Sequence, residues 1–387
     1  VFKDPTKQKI GIIGGGQLGK MMILEAKKMN FYIIILDPTP NCPAHSIADE
    51  HIVADFDDEQ AIRKLADKSD VITYEFEHIG VDVLKKLEEE GYRIYPTVKS
   101  LEIIQNKYQQ KKVLLSNNIP VPDFISVSSI EDIGNAGEKF AYPMMLKSCT
   151  GGYDGKGNSI IKNQDMIEHA YQSLGAGSLP LMIERFVPFT KEISILACRG
   201  INGEIAVYPV AENDHQDSIL IETRVPAEIS DVLKEDAISL AHQVMEVFEG
   251  VGIFCIEMFV TEDEELLINE IAPRPHNSGH YTIEGAVTSQ FEQHIRAITG
   301  LPLGETTLLR PAVMRNILGE GQQGKAIVEG MIEASRESAL KFHIYGKEIS
   351  KPKRKMGHFT VTGDSLEEAV KKAEEASKLI KIVGSSD

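Results

Sequence analysis

Two glutamates draw attention because little around them favours a charge. Residues 252–260 form an apolar run, Gly-Ile-Phe-Cys-Ile-Glu-Met-Phe-Val, that contains Glu257. An acidic turn at 262–265 leads into Leu266-Leu267-Ile268-Asn269-Glu270-Ile271, where Glu270 again sits among aliphatic residues. An antiparallel hairpin centred on that turn pairs Thr261 with Leu266 and Phe259 with Ile268, and the same register sets Glu257 opposite Glu270. Like charges facing each other across a ladder repel, and burying them unpaired is costly or keeps one protonated. A hard divalent cation removes that penalty, and Mg²⁺ commonly takes one or two carboxylates together with nucleotide phosphates. The competing explanation is a hairpin end that faces water, or a lysine that pairs with the acids.

Cations and glycines upstream suit such phosphates. A helix predicted over 101–115 carries Lys107, Lys111 and Lys112. Residues 143–148 read as a strand whose Lys147 interrupts an apolar stretch just before Gly151-Gly152-Tyr153-Asp154-Gly155-Lys156-Gly157, and Ser159-Ile160-Ile161 resume a strand. The glycine loop is not a Walker A sequence, which needs GxxxxGK[ST] running into a helix. Strands on both sides make it a hairpin flap whose N–H groups and Lys156 could wrap a polyphosphate; an idle loop tip is the bland alternative. The run Leu181-Met182-Ile183 enters Glu184-Arg185-Phe186-Val187, a hinge that could offer backbone groups to a purine edge. Glu192, on an alternating strand, fits ribose hydroxyls or a merely exposed strand face. After the hairpin, Arg274, His276, Asn277, Ser278 and His280 crowd an irregular segment. His276 and His280 have zinc-like spacing, but Pro273, Pro275 and Gly279 oppose the helix that spacing needs, so a loop supplying Arg274 to an anion is preferred.

The elements that must position these residues begin with alternating strands and helices over the first hundred residues, a Rossmann-like pattern with a parallel sheet. Gly14-x-Gly16-x-x-Gly19 fits the dinucleotide fingerprint with Asp37 downstream, so an NAD-dependent dehydrogenase is a rival reading. Thr73 to His78, including Glu75, follows a strand end where α/β ligands usually sit. Near the C-terminus Lys351-Pro352-Lys353-Arg354-Lys355 lies between strand patterns, which fixes it as a turn able to grip a phosphate monoester. Forty-one Lys and Arg against 58 Asp and Glu give a net charge of −17, which disfavours nucleic acid and anionic membranes as partners. No run approaches a membrane span, and four scattered cysteines indicate neither zinc nor disulfides, so a cytoplasmic enzyme is expected.

Six segments, taken in order, resemble the ATP-grasp superfamily, and within it the family of 5-(carboxyamino)imidazole ribonucleotide synthases. They are GIIGGGQLGKMM from Gly11, TYEFEHI from Thr73, GGYDGKG from Gly151, ERFVPFTKEIS from Glu184, NEIAPRPHNSGHYTIEG from Asn269 and KRKMGHFTV from Lys353. The resemblance implies mixed α/β and α+β architecture in three parts: a Rossmann-like domain over 1–98, a two-part ATP-grasp domain over 99–302 and a β-rich domain over 303–387. It implies that Lys107, Lys147, the Gly152 to Asn158 flap, Glu184 to Val187, Glu192, His215, Asn269 and Glu270 hold ATP. Glu257 and Glu270 would hold Mg²⁺, with Mn²⁺ as a substitute. Gln17, Leu18, Glu75, Arg274, His276, Asn277, Ser278, Lys347 and Arg354 would contact the ribonucleotide, and Tyr153, Asp154, Lys156 and Arg274 would serve the chemistry. Bicarbonate is the implied co-substrate, carboxylation of 5-aminoimidazole ribonucleotide in purine biosynthesis the implied activity, and a homodimer the expected assembly. Two departures from the family pattern stand out. Cys149 occupies a place where a basic residue is common, and Gly285-Ala286 replaces a bulkier pair.

Overall fold

The computed structural model describes residues 4–152 and 157–385. The N-terminal part runs β1 (Lys9–Ile13), α1 (Gln17–Lys28), β2 (Tyr32–Leu36), β3 (Glu50–Ile52), α2 (Glu59–Lys68), β4 (Val71–Tyr74) and α3 (Val81–Glu89). Its sheet is parallel in the order β3-β2-β1-β4, as continuous aliphatic strands buried on both faces require. The strand and helix boundaries follow the sequence periodicity closely.

One expectation fails here. The helix predicted over 101–115 is two helices, α4 (Val98–Gln105) and α5 (Lys107–Ser116). Asn106 leaves helical geometry, and its side chain accepts the Gln109 N–H, so it caps α5 instead of continuing α4. The break matters because it re-aims the face carrying Lys107, Gln110 and Lys111.

The next lobe contains β5 (Phe124–Val127), α6 (Ile130–Phe140), β6 (Met144–Ser148), β7 (Asn158–Ile161), α7 (Ile167–Ser173) and β8 (Leu181–Arg185). Its antiparallel sheet has the order β5-β8-β6-β7, and Lys147 pairs with Asn158 across the hairpin that carries the glycine loop. Tyr153, Asp154, Gly155 and Lys156 lie outside the described residues.

The larger lobe adds β9 (Phe189–Arg199), β10 (Ile205–Val207), β11 (Ala211–Gln216), β12 (Ile219–Val225), α8 (Asp231–Phe248), β13 (Gly252–Thr261), β14 (Leu266–Ala272), α9 (Thr282–Gly285) and α10 (Gln290–Thr299). The remainder is β15 (Ala312–Glu320), β16 (Gly324–Glu329), α11 (Met331–Ala334), β17 (Leu340–Ile344), β18 (Ile349–Ser350), β19 (Lys355–Thr362), α12 (Leu366–Ser377) and β20 (Lys381–Ser385). These strands form one sheet: β12 pairs antiparallel with β15, so the C-terminal β structure extends the large central sheet by hydrogen bonds. The last β-rich segment is therefore joined to the central lobe by strand pairing.

A shared core seats the N-terminal part on this sheet. Met21, Met22 and Phe31 pack in one cluster with Leu196, Cys198, Cys255, Phe291 and Ile295. Each such side chain contributes roughly 1.5–3 kcal/mol by leaving water. Two polar links fix the docking: Thr73 Oγ1 meets His294 Nε2 at 2.7 Å, and Gln8 Nε2 donates to Thr299 O at 3.0 Å.

Candidate active site

The hairpin of β13 and β14 brings Glu257 and Glu270 into register, though by a different route from the one expected. Near the turn the pairs are Val260 with Leu266, Phe259 with Leu267 and Met258 with Ile268, one residue off the predicted ladder. The turn is tighter, closed by Thr261 N–H donating to Glu265 O. A β-bulge then skips Asn269, and the ladder resumes with Glu257 opposite Glu270. The predicted pairing of Thr261 with Leu266 and of Phe259 with Ile268 is thus corrected, while the acidic pair stands.

The pair is electrostatically unequal. Burial pushes the Glu257 carboxyl up to about 7, with His215 opposing the rise and Glu270 adding to it. Burial works against ionised Glu270 as well, but Lys107 donates to its Oε2 at 2.7 Å, and Lys107, Lys147 and Lys111 together hold it below the ordinary carboxylate range. A lysine does pair with one of the acids, and the other is left to be neutralised by a proton or a cation.

Behind them lies a buried lysine–glutamate–lysine cluster. Glu184 receives Lys111 Nζ at 2.9 Å and Lys147 Nζ at 2.6 Å, all three side chains being at most a tenth exposed. Burial opposes the charge on Glu184, yet the two ammonium groups draw its carboxyl down to about 2. Desolvation lowers Lys111 to about 8 against the pull of Glu184. The carboxylate of Glu184 is thus committed to setting Lys147, which also reaches Asn269 Oδ1 at 3.5 Å on the facing lobe. The chain continues from the end of β8 into Phe186 and Val187, and the exposed Arg185 turns away to Asp123 at 3.0 Å. The sequence places Lys111 on the helix with Lys107 and Lys112 but assigns it no role of its own; a lysine on the apolar-facing side of a helix, three to four residues from Lys107 and Leu114, is the signal for its buried ion pair.

On the large sheet Glu192 of β9 is hydrogen-bonded to His215 Nδ1 of β11. Burial disfavours the imidazolium, but that carboxylate reverses the balance and raises His215 above its usual value. Phe259, on the same face as Glu257, stacks on Phe189 with centroids 4.7 Å apart, which adds an apolar wall to that end of the sheet.

The 274–280 loop joins the three parts. Arg274 forms an ion pair with Glu77 at 2.9 Å, and a 3₁₀ turn at Asn277–Gly279 replaces the helix that a histidine zinc site would need. His276 Nε2 lies 3.9 Å from Glu257 Oε1, and burial with nearby Arg274 and Lys355 keeps the ring neutral, well below its usual pKa. Asn277 exchanges amide hydrogen bonds with Asn316 of β15 at 3.0 and 2.7 Å, and Ser278 is buried with its hydroxyl between His276 Nδ1 and Cys255 Sγ. His280 is buried and reaches Gln290 at 3.2 Å.

The glycine fingerprint of β1–α1 turns out to serve an internal anion. Glu75 accepts from Gly16 N–H at 2.6 Å and Gly19 N–H at 2.7 Å, and Asp37 accepts from Gly15 N–H at 2.8 Å. A Cβ on Gly16 would come within 2.5 Å of the Glu75 carboxylate, and Gly14 additionally adopts φ +108°. Glycine is therefore required for Glu75 to reach the helix N-terminus. These N–H groups are already satisfied, so the dinucleotide reading loses its pyrophosphate seat. Gln17 and Leu18 begin α1 beside this carboxylate. From the other side Lys347 contributes to the charge felt by Glu75, and its Nζ donates to Lys355 O at 2.7 Å; Arg354 Nη1 donates to Ile349 O at 2.6 Å. Both cations thus lie between β17 and β19, the two strands that the pattern anticipates, on either side of the short β18, which it does not.

Cys149 is buried, and its thiol is pushed up to about 11, so it holds no anion. Gly285 packs close to Ala312, where an added Cβ would come to 3.0 Å, which accounts for a small residue there.

Comparison with known proteins bears directly on this arrangement. Residues 7–105 match the ribonucleotide synthetase preATP-grasp domain, 112–291 the ATP-grasp domain, and 312–372 the phosphoribosylaminoimidazole carboxylase C-terminal domain. The N5-carboxyaminoimidazole ribonucleotide synthase of Bacillus subtilis (strain 168) is 44% identical over 351 residues, covering 91% of this chain and 90% of that protein. The chain belongs to the N5-carboxyaminoimidazole ribonucleotide synthase family. Among solved structures, the synthetase from Thermotoga maritima superposes with a TM-score of 0.90 at 50% identity, covering 98% of this chain and 100% of that one. A family member from Aspergillus clavatus, solved with ADP and 5-aminoimidazole ribonucleotide, gives a TM-score of 0.88 at 33% identity, over 97% of this chain and 99% of that one. The family's preATP-grasp, ATP-grasp and C-terminal modules thus follow the order of the three regions described above.

Proposed function

We propose that this chain carboxylates the exocyclic amine of 5-aminoimidazole ribonucleotide, using ATP and bicarbonate, to give 5-(carboxyamino)imidazole ribonucleotide, ADP and phosphate in purine biosynthesis. Family membership over nearly the whole chain supports the reaction. The observation that carries the site is the convergence of Lys107 and Lys147 with the opposed Glu257 and Glu270 between the two lobes. The parts divide as 1–98, 99–302 and 303–387, with nucleotide on the middle part and ribonucleotide where all three meet.

The donor set fits Mg²⁺: two opposed carboxylates, of which Glu257 is poised near neutrality until a cation offsets its charge. Glu257 and Glu270 would hold the ion, with Mn²⁺ as substitute, and its charge would offset that of the ATP phosphates. Lys107 and Lys147 would contact the ATP phosphates, while Glu192 takes the ribose beside His215. Phe186 and Val187 cover adenine, with the backbone of Glu184 and Arg185. Gly152, Gly157 and Asn158 flank Tyr153, Asp154, Gly155 and Lys156, and this glycine-rich segment is assigned to the phosphates and the imidazole.

A bicarbonate oxygen attacks the γ-phosphorus, the bond to the β-phosphate oxygen breaks, and ADP leaves with carboxyphosphate formed. The protein's part is positioning and charge neutralisation, for which Lys147, Lys156 and Arg274 are suited. The amine nitrogen then bonds to the carboxyl carbon, phosphate departs, and Asp154 orients the amine or accepts its proton. Carboxyphosphate has to be kept from water for this second step. Gln17, Leu18, Glu75, His276, Asn277 and Ser278 shape the ribonucleotide site, and Lys347 and Arg354 grip its phosphate. Asn277 and Ser278 act through the loop they pin, since their side chains are already engaged. The expected homodimer is read by sedimentation, as one chain of 42.8 kDa or two.

The deciding experiment measures ADP release and product formation with bicarbonate and 5-aminoimidazole ribonucleotide added singly and together. Product that requires both supports the assignment. Stimulation by formate or biotin in place of these substrates would identify a different ATP-grasp ligase, and turnover of a nicotinamide cofactor would overturn the class.

A further inference from the structure

The bulge at Asn269 decides whether Glu270 can serve beside Glu257 at all. From Val260–Leu266 through Met258–Ile268 the ladder is regular. Continued without interruption, it would set Glu257 opposite Asn269 and Ile256 opposite Glu270. Paired residues share a face and neighbours alternate, so Glu270 would then point with Ile256 into the apolar core. Skipping Asn269 flips Glu270 to the face of Glu257.

A bulge is held only where its freed backbone groups find partners. β14 is the last strand of the large sheet, so among the described residues its outer edge has no strand beside it. The segment from α5 to Pro120 takes that place. Gln110 makes a two-way grip on Ile271, its Oε1 accepting the Ile271 N–H at 2.9 Å and its Nε2 donating to Ile271 O at 3.2 Å. Lys111 Nζ donates to Asn269 O at 2.9 Å, and the Ile268 N–H goes to Pro120 O at 2.9 Å. Gln110 and Lys111 are both almost wholly buried, a costly location for either without such partners. Lys107, one helical turn earlier on the same face, reaches the Glu270 carboxylate itself.

We infer that Gln110 and Lys111 are positioning residues for the metal site, an edge-strand clamp that holds the bulge and thereby the facing of Glu270 with Glu257. The inference rests on the reading of Glu257 and Glu270 as metal carboxylates. Gln110 is the cleaner probe, because Lys111 also serves Glu184.

The test uses the full chain with Mn²⁺ as the metal probe in the presence of ADP, read by paramagnetic resonance of free Mn²⁺ without turnover. Gln110→Leu should weaken Mn²⁺ binding about tenfold or more. ADP binding without metal should stay near wild type, and amide exchange at Ile271 should accelerate. Gln110→Glu, which keeps the acceptor for Ile271 N–H, should recover part of the Mn²⁺ affinity. It carries the test if the leucine variant does not fold: Mn²⁺ affinity between wild type and Glu270→Gln supports the clamp. Wild-type Mn²⁺ affinity in Gln110→Leu, or in Gln110→Glu when that variant alone folds, overturns it. Parallel loss of Mn²⁺ and metal-free ADP binding does the same. Unchanged Mn²⁺ affinity in Glu257→Gln would instead remove the metal reading, which separates the two failures.

Discussion

Replacing Glu257 by glutamine should make the metal-free protein more stable, and more so as pH rises. Burial lifts this carboxyl to about 7 in the folded chain, with Glu270 across the ladder adding to the effect. In the unfolded chain a glutamate ionises near ~4.3. Below that value both states hold the proton and the site costs nothing. Between there and neutrality the unfolded chain gives up its proton while the folded chain keeps it, so stability falls with rising pH. Above about 7 the folded carboxyl is ionised too and the loss is complete. The full displacement corresponds to about 4 kcal/mol, and the side chain's 23% exposure reduces the expectation to about 2–3 kcal/mol. Glutamine keeps the shape and removes the charge. Thermal melting should therefore show Glu257→Gln above wild type by roughly 2–4 °C near pH 8 and level with it near pH 4. Added MgADP should reverse the order, because only the wild type gains from the cation. A difference independent of pH, or a variant destabilised at pH 8 without metal, would refute the electrostatic account. Loss of turnover in the folded variant is the accompanying functional expectation, and unchanged Mg²⁺ dependence would count against the site.

Glu184→Ala should cost about 3–5 kcal/mol in urea unfolding, since it strands two buried ammonium groups, and Lys111→Met in the same chain should recover part of that loss. Lys347→Ala and Arg354→Ala should each raise KM for the ribonucleotide about tenfold or more while KM for ATP barely moves, each charged hydrogen bond being worth about 1.5–3 kcal/mol; steady-state kinetics with either substrate varied would expose a joint rise as evidence against a phosphate grip. Glu75→Ala should lower stability by about 1–3 kcal/mol by leaving the Gly16 and Gly19 N–H groups unpaired, and NAD should leave the wild-type melting temperature unchanged.

Much of the architecture was legible because aliphatic runs and helical spacing are local. The aliphatic runs of β1 and β2 match the observed strands, and the glycine loop does join two paired strands. The break at Asn106 was missed because apolar spacing continues through it, and only the capping hydrogen bond to Gln109 reveals that two helices meet there. What local pattern could not reveal is where a charged group spends its hydrogen bonds. Glu184 was assigned by position to adenine, yet its carboxylate lies between two lysines that come from α5 and β6, 73 and 37 residues away in sequence. The glycine fingerprint carried the same ambiguity: tight turns and open N–H groups suit a dinucleotide, but they equally suit a carboxylate arriving from β4's end.

The acidic hairpin is the sharpest case, since the right pair emerged from the wrong ladder. A turn assumed one residue too wide and a bulge left out are errors of one residue each, with opposite effect on register, so they cancel at Glu257 and Glu270. Near the turn, where only the first error acts, the predicted partners of Thr261 and Phe259 are wrong. The reason the bulge cannot be read locally is energetic. An extra residue in an edge strand frees backbone groups on both sides, and it persists only if something distant accepts them. Here that partner is the buried face of α5, a helix that sequence spacing had merged with its neighbour. Placing the two acids together therefore depended on the same break at Asn106 that was overlooked, because that cap starts the helix whose Lys107, Gln110 and Lys111 meet β14.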